Sequence, residues 1–163
     1  MKVYMIDSNK CTGCHLCELA CAYKHYKTFS PELSNIKIES IEDIAFNVPN
    51  NCMQCEEPNC IKACVAGALH KDNKTGSILI DKNRCIGCKA CAMACPFGAI
   101  SIVKKNSKLE ISICDLCAGD PECIKVCRSG AINYLEDSKI NKIKRKDVVN
   151  RLLDESNENS HKR

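Results

Sequence analysis

The chain has no tryptophan and only three phenylalanines and four tyrosines in 163 residues. So few large apolar side chains leave little material for a conventional core, because stability follows the apolar area a chain can bury. No run approaches the roughly 18 apolar residues that a membrane-crossing helix needs. Met1 to Lys10 contain no basic-then-apolar leader and no twin arginine, so the expectation is a chain that stays in the cytoplasm. Thiols there are kept reduced, which argues against a disulfide framework. No nucleophile–base set, phosphate-cradling glycine loop, or flavin or nicotinamide fingerprint is present. Bond-making chemistry therefore has no visible residue set in this chain.

What the chain does have is sixteen cysteines, about one residue in ten, well beyond ordinary composition. They fall into four groups of four with none left over. The groups are Cys11, Cys14, Cys17, Cys21; Cys52, Cys55, Cys60, Cys64; Cys85, Cys88, Cys91, Cys95; and Cys114, Cys117, Cys123, Cys127. The first and third read C-x2-C-x2-C-x3-C, the second C-x2-C-x4-C-x3-C and the fourth C-x2-C-x5-C-x3-C. The last three groups share a tail, Cys-x-x-Gly-Ala-Ile/Leu, over Cys64–Leu69, Cys95–Ile100 and Cys127–Ile132. Gly67, Gly98 and Gly130 fit tight exits from short helices. The first group lacks the tail and is followed by an insertion running to about Asn51.

Short strands are expected between the groups. Lys2–Asp7 precedes the first group. His70–Lys71 and Ser77–Asp81 flank the turn sequence Asp72–Gly76. Ala99–Val103 and Leu109–Ile113 flank Lys104–Lys108, and Ala131–Leu135 closes the pattern. Each cysteine group thus sits on a loop with a short helix, framed by strands.

This spacing suits iron–sulfur cubes. Three cysteines on one tight loop reach three corners of a [4Fe-4S] cluster, and the x3 step carries the fourth about one helical turn away. In two-cluster ferredoxins that last cysteine ligates the other cluster, so groups work in pairs and four groups imply four [4Fe-4S] clusters. Pro58 and Pro121 stiffen the wider second and fourth loops by fixing φ. Structural zinc prefers two CxxC knuckles separated by a longer stretch. All sixteen cysteines are therefore candidate cluster and metal ligands.

The four groups resemble the four-cluster electron-transfer subunits of the dimethyl-sulfoxide-reductase and formate-dehydrogenase type, over about residues 2–136. Cys11–Cys21, with His25 and Phe29-Ser30-Pro31-Glu32-Leu33-Ser34-Asn35-Ile36, is similar to the branch serving CO dehydrogenase and tungsten-containing aldehyde oxidoreductases. The resemblance implies a nested pairing, first group with fourth and second with third. One cluster then takes Cys11, Cys14, Cys17 and Cys127, and its neighbour takes Cys114, Cys117, Cys123 and Cys21. A third takes Cys52, Cys55, Cys60 and Cys95, and the fourth takes Cys85, Cys88, Cys91 and Cys64. The family often has proline after the last cysteine of the second to fourth groups, and here only Cys95-Pro96 keeps it. Val65 and Arg128 stand there instead, each with an N–H that could bond sulfur. Arg128 also adds a positive charge expected to raise the potential of the Cys127 cluster.

Other residues have plain readings. His15 is an exposed loop residue, since every group already has four thiols. His25 and Tyr26 pack or face solvent on the helix after Cys21. Phe29-Ser30-Pro31 fixes the course of the insertion. Met53 and Gln54 shield a cluster from water, and Lys89 and Lys125 are solvated.

Residues 137–163 hold eight Lys/Arg against five Asp/Glu, and apolar residues at helical intervals suggest an amphipathic helix near Asp147–Asp154. Such a helix serves packing, docking to a catalytic subunit, or self-association; without aromatic platforms the charge does not read as a nucleic-acid surface. The expected fold is α+β: two ferredoxin-like two-cluster halves with interleaved connectivity over 1–136, plus a C-terminal helix and tail over 137–163. By resemblance, the expected function is a non-catalytic electron-transfer subunit. It would link a catalytic oxidoreductase of tungsten/molybdenum or CO dehydrogenase type to a redox acceptor. A free polyferredoxin carrier and a subunit of a formate dehydrogenase or hydrogenase complex are the alternatives.

Overall fold

Among the described residues strands run for three to five residues, and they pair two by two rather than as one sheet. The structure, a computed structural model, describes residues 2–105 and 108–136, together with residues 145, 148 and 149. Its strands are β1 (Lys2–Ile6), β2 (Lys37–Ile41), β3 (Phe46–Asn50), β4 (Leu69–Lys71), β5 (Ile78–Ile80), β6 (Ser101–Lys105), β7 (Lys108–Ser112) and β8 (Ile132–Glu136). The helices are α1 (Leu16–Tyr26), α2 (Asn59–Lys62), α3 (Ala90–Met93) and α4 (Glu122–Val126). The strands make four two-stranded sheets: β1 with β8, β2 with β3, β4 with β5 and β6 with β7.

Residues 2–5 and 134–136 form one compact unit among the described residues, built on β1 and β8. Within it the Lys2 ammonium lies 5.6 Å from the centre of the Tyr134 ring. Ile6–Asn133 form the other unit and carry all sixteen cysteines.

The expected hairpins form. In β4–β5, Leu69 faces Ile80 and Lys71 faces Ile78. The turn is fastened by Asp72, whose carboxyl accepts from the N–H and hydroxyl of Thr75. The β6–β7 ladder runs further than expected, pairing Lys104 with Leu109 and Lys105 with Lys108. Lysines interrupt a hydrophobic pattern but not a ladder, which pairs main-chain N–H and C=O groups.

The insertion contains a hairpin that the hydrophobic pattern does not announce. β2 and β3 pair antiparallel from Lys37 opposite Asn50 to Ile41 opposite Phe46. Pro49 in β3 hides the strand, yet a two-stranded ribbon has outward-facing edges where a missing N–H costs no ladder bond.

The core of the larger unit is small and mixed. Leu69, Ile78, Ala99, Ile100, Ile111 and Ile113 pack with Cys52, Cys60 and Cys91, and Cys64, Cys85, Cys95 and Cys114 lie against them. Cysteine thus supplies part of the buried volume that aromatic residues usually fill. The helix expected near residues 147–154 lies largely outside the described residues, of which Val148 and Val149 are helical and exposed.

Candidate metal centre

All four groups share one backbone device. The second residue after the first cysteine has a left-handed φ in each: Gly13 at 65°, Gln54 at 50°, Gly87 at 71° and Leu116 at 55°. That turn folds the loop back so that its cysteines converge. Glycine adopts it freely, whereas Gln54 and Leu116 need compensation. Leu116 is fully buried. Gln54 donates from Nε2 to the Cys114 carbonyl and accepts the Ile78 N–H at Oε1, both at 2.8 Å.

The helices then bring different groups together. α1 packs against α4, with Lys24 Nζ 3.4 Å from Glu122 Oε1, and α2 packs against α3. α1 carries Cys17 and Cys21 and α4 carries Cys123, while α2 carries Cys60 and α3 carries Cys91. Pro58 and Pro121 stand immediately before α2 and α4, as their fixed φ favours.

Thiols of different groups come near one another. Burial pushes the Cys52 thiol up to about 11, and its neighbours Cys60, Cys55 and Cys95 add to the rise. Burial also raises Cys60, again with Cys95 and Cys55 beside it. Cys91 is raised by burial, with Cys64 and Cys85 adjacent. Burial drives Cys114 far above the ordinary thiol range, with Cys123 and Cys21 adding to it and the Leu116 N–H and Asn51 amide opposing. Cys117, also raised by burial, faces Asp115 and Cys21. Cys11, Cys14, Cys17 and Cys127 line a single cavity with Leu16, Ile38 and Pro49. Cys17 is pushed up to about 12, by burial first and then by Cys123, Glu18 and Cys14.

The shared tail also has a visible purpose. At Cys64 burial would raise the thiol, but the N–H groups of Ala68, Leu69, Ala66 and Gly67 outweigh it and hold it below the ordinary value. At Cys127 the N–H groups of Ile132, Ala131 and Gly130, with the Ser129 hydroxyl, do the same against burial. The leading donors are thus the Gly-Ala-Ile/Leu residues, not Val65 or Arg128, and Arg128 is exposed.

Neighbouring thiols, several of them buried, cannot all ionise beside one another unless a cationic core compensates. Thiolate sulfur is the donor that iron–sulfur cubes require, and N–H groups directed at sulfur are their usual surroundings. The donor set therefore fits the cluster chemistry implied by the spacing.

A sequence model described as a 4Fe-4S dicluster domain matches residues 44–137, more than half the chain. The chain belongs to the 4Fe-4S dicluster family. A second model, a 4Fe-4S binding domain, matches residues 8–24 of this dicluster protein and so takes in the first cysteine group. Relatives are similar over most of its length. The polyferredoxin-like subunit of aliphatic sulfonate oxidoreductase from Pyrococcus furiosus is 37% identical over 81% of this chain and 75% of its own. The B subunit of anaerobic dimethyl sulfoxide reductase from Escherichia coli is 36% identical over 80% and 71%. The electron transport protein HydN from Escherichia coli is 32% identical over 84% and 89%. The two family models and the sixteen cysteines fit four [4Fe-4S] clusters.

Several residues of the dicluster protein make contacts that their sequence reading did not include. His15 is exposed on the loop before α1, as expected, and its Nδ1 also lies 2.7 Å from Glu18 Oε2. Glu18 is only 4% exposed and also accepts the Ile38 N–H, tying α1 to β2. His25 Nε2 lies 3.8 Å from Cys117 Sγ and 3.5 Å from Asp115 Oδ1. Met53 is 46% exposed and covers little, whereas Gln54 is pinned. Lys125 is ion-paired with Asp120 and Glu122. Glu18, Asn35 and Asn51 were missed, since no local pattern marks a buried polar residue whose partner lies far along the chain.

Proposed function

We propose that this chain is the non-catalytic electron-transfer subunit of an oxidoreductase complex, carrying electrons between a catalytic subunit and a redox acceptor through four [4Fe-4S] clusters. The observation that carries this reading is the approach of thiols from different groups to one another. Cys95 of the third group stands near Cys52 and Cys60 of the second, and Cys21 of the first near Cys114 and Cys117 of the fourth. The proposed ligand sets are Cys11, Cys14, Cys17, Cys127; Cys21, Cys114, Cys117, Cys123; Cys52, Cys55, Cys60, Cys95; and Cys64, Cys85, Cys88, Cys91. The packing of α1 on α4 and α2 on α3 supports two interleaved ferredoxin-like halves.

When bound, a [4Fe-4S] group supplies reversible one-electron exchange while its thiolates stay in place. The protein's own residues hold, screen and bias the site. Cys21, Cys52, Cys60, Cys91 and Cys123 are buried, whereas Cys14 and Cys88 are exposed. The quartets containing Cys14 and Cys88 are thus the terminals, where a partner can approach, and the other two are internal. Leu16, the first residue of α1 and two residues after Cys14, begins an apolar groove lined also by Leu19, Tyr23 and Phe29.

The relatives' names, a subunit of an oxidoreductase and a chain of a reductase, support a catalytic oxidoreductase partner. Among the described residues no helix is long and apolar enough to cross a membrane. Anaerobic purification from the native host, followed by mass spectrometry, tests the reading. A large oxidoreductase subunit should accompany the full chain, and less of it a chain lacking residues 137–163. Recovery of the full chain alone, loaded with iron, would instead identify a free carrier.

A further inference from the structure

The insertion after the first group is long for a connection, and its two ends converge on one quartet. At one end the backbone N–H of Asn35 lies 3.3 Å from Cys21 Sγ, and its Nδ2 donates to the carbonyl of Ile113, next to Cys114. At the other end Asn51 Nδ2 lies 3.4 Å from Cys114 Sγ. Both asparagines are buried, Asn51 at 1% exposure. The Oδ1 atoms of both have no hydrogen-bonding partner among the described residues. Leaving a buried carbonyl unpaired opposes folding; at Asn35 the bond to Ile113 offsets this, whereas at Asn51 no bond to a backbone group among the described residues does, so stability does not explain the Asn51 amide. An apolar side chain of similar size would pack at position 51 without that penalty. What the amide of Asn51 adds is an N–H aimed at sulfur.

A donor on a ligand sulfur favours the more electron-rich state of the site and so raises its reduction potential. Asn51 is also peptide-bonded to Cys52, and Gln54 in the same loop holds the Cys114 carbonyl. Segment 51–54 therefore joins the two internal quartets. We infer that Asn35 and Asn51 make the insertion a redox-tuning strap, in which Asn51 is a positioning residue that keeps the potential of the Cys21, Cys114, Cys117, Cys123 site raised at the crossing between the two halves.

This rests on the ligand reading above, and the experiment separates the two. Full-length protein and its Asn51→Leu variant are loaded anaerobically and titrated redox-potentiometrically with electron paramagnetic resonance detection. The tuning account predicts unchanged iron content, a thermal midpoint no lower than that of the parent, and one of four midpoint potentials shifted downward with three unmoved. Asn51→Asp, which keeps the shape and replaces the donor with an acceptor, should lower the same midpoint further, and it serves if the leucine variant loads poorly. Four unmoved midpoints in a fully loaded variant, or an equal shift in all four, would overturn the inference while leaving the ligand reading intact. Fewer than four clusters in the parent protein would overturn both.

Discussion

Gln54 shows how single residues keep this fold in place. Its backbone occupies the left-handed region at φ 50°, where a non-glycine residue is strained by about 1–3 kcal/mol. Its side-chain amide uses both ends to offset that strain, on the Cys114 carbonyl and the Ile78 N–H. Gln54→Leu keeps the strain and removes both bonds, leaving polar backbone groups unpaired at about 1–3 kcal/mol each. In anaerobic melts followed by visible absorbance, the midpoint should fall on the order of 5 °C or more. Gln54→Gly also loses the bonds but relieves the φ strain, so it should fall less. Equal melting of all three proteins would remove Gln54 from this role. At this scale the sequence was informative about cysteines and mute about their supports. Thiol spacing is local and can be counted, whereas the partners of Gln54, Glu18 and Asn51 lie from 20 to 63 residues away.

Among the elements, the repeated loops and tails differ in how tightly they are enclosed. Gly13 and Gly130 both have positive φ. A Cβ on Gly130 would meet nothing within 4 Å, while one on Gly13 would come within 2.7 Å of Asn47 Oδ1. Asn47 belongs to β3 and accepts from the Ser40 hydroxyl of β2, so the first cysteine loop sits directly under the insertion hairpin. Gly130→Ala should therefore cost only the backbone preference, about 1–2 kcal/mol. Gly13→Ala should cost at least about 1 kcal/mol more by also displacing Asn47 and its bond. Thermal melts of the two loaded variants check this ordering, and a milder effect at Gly13 would contradict it. The β4–β5 hairpin was legible because Asp72–Gly76 carries its own turn chemistry. The β2–β3 hairpin was not, because Pro49 mimics a break and its turn, Glu42–Ile44 with Ala45 at φ 50°, lacks glycine.

For the molecule as a whole, sixteen cysteines change both core and charge. The formal charge of +4 counts each thiol as neutral. Four oxidised cubes with their thiolates carry about −2 each, taking the loaded chain to about −4. Loaded protein should bind an anion exchanger at neutral pH and low salt, and protein stripped of iron should pass through it. Identical retention of the two would contradict the loading. Stripping should also loosen the fold, since cysteines stand among the core residues and ligation free energy becomes folding free energy.

The most direct measurement is the content of iron and acid-labile sulfide per chain after anaerobic purification or reconstitution. Four cubes predict about 16 of each, with an absorption shoulder near about 400 nm that dithionite bleaches. About 8 iron atoms would mean that half of the proposed ligand sets are wrong, and zinc in place of iron would contradict the electron-transfer account altogether.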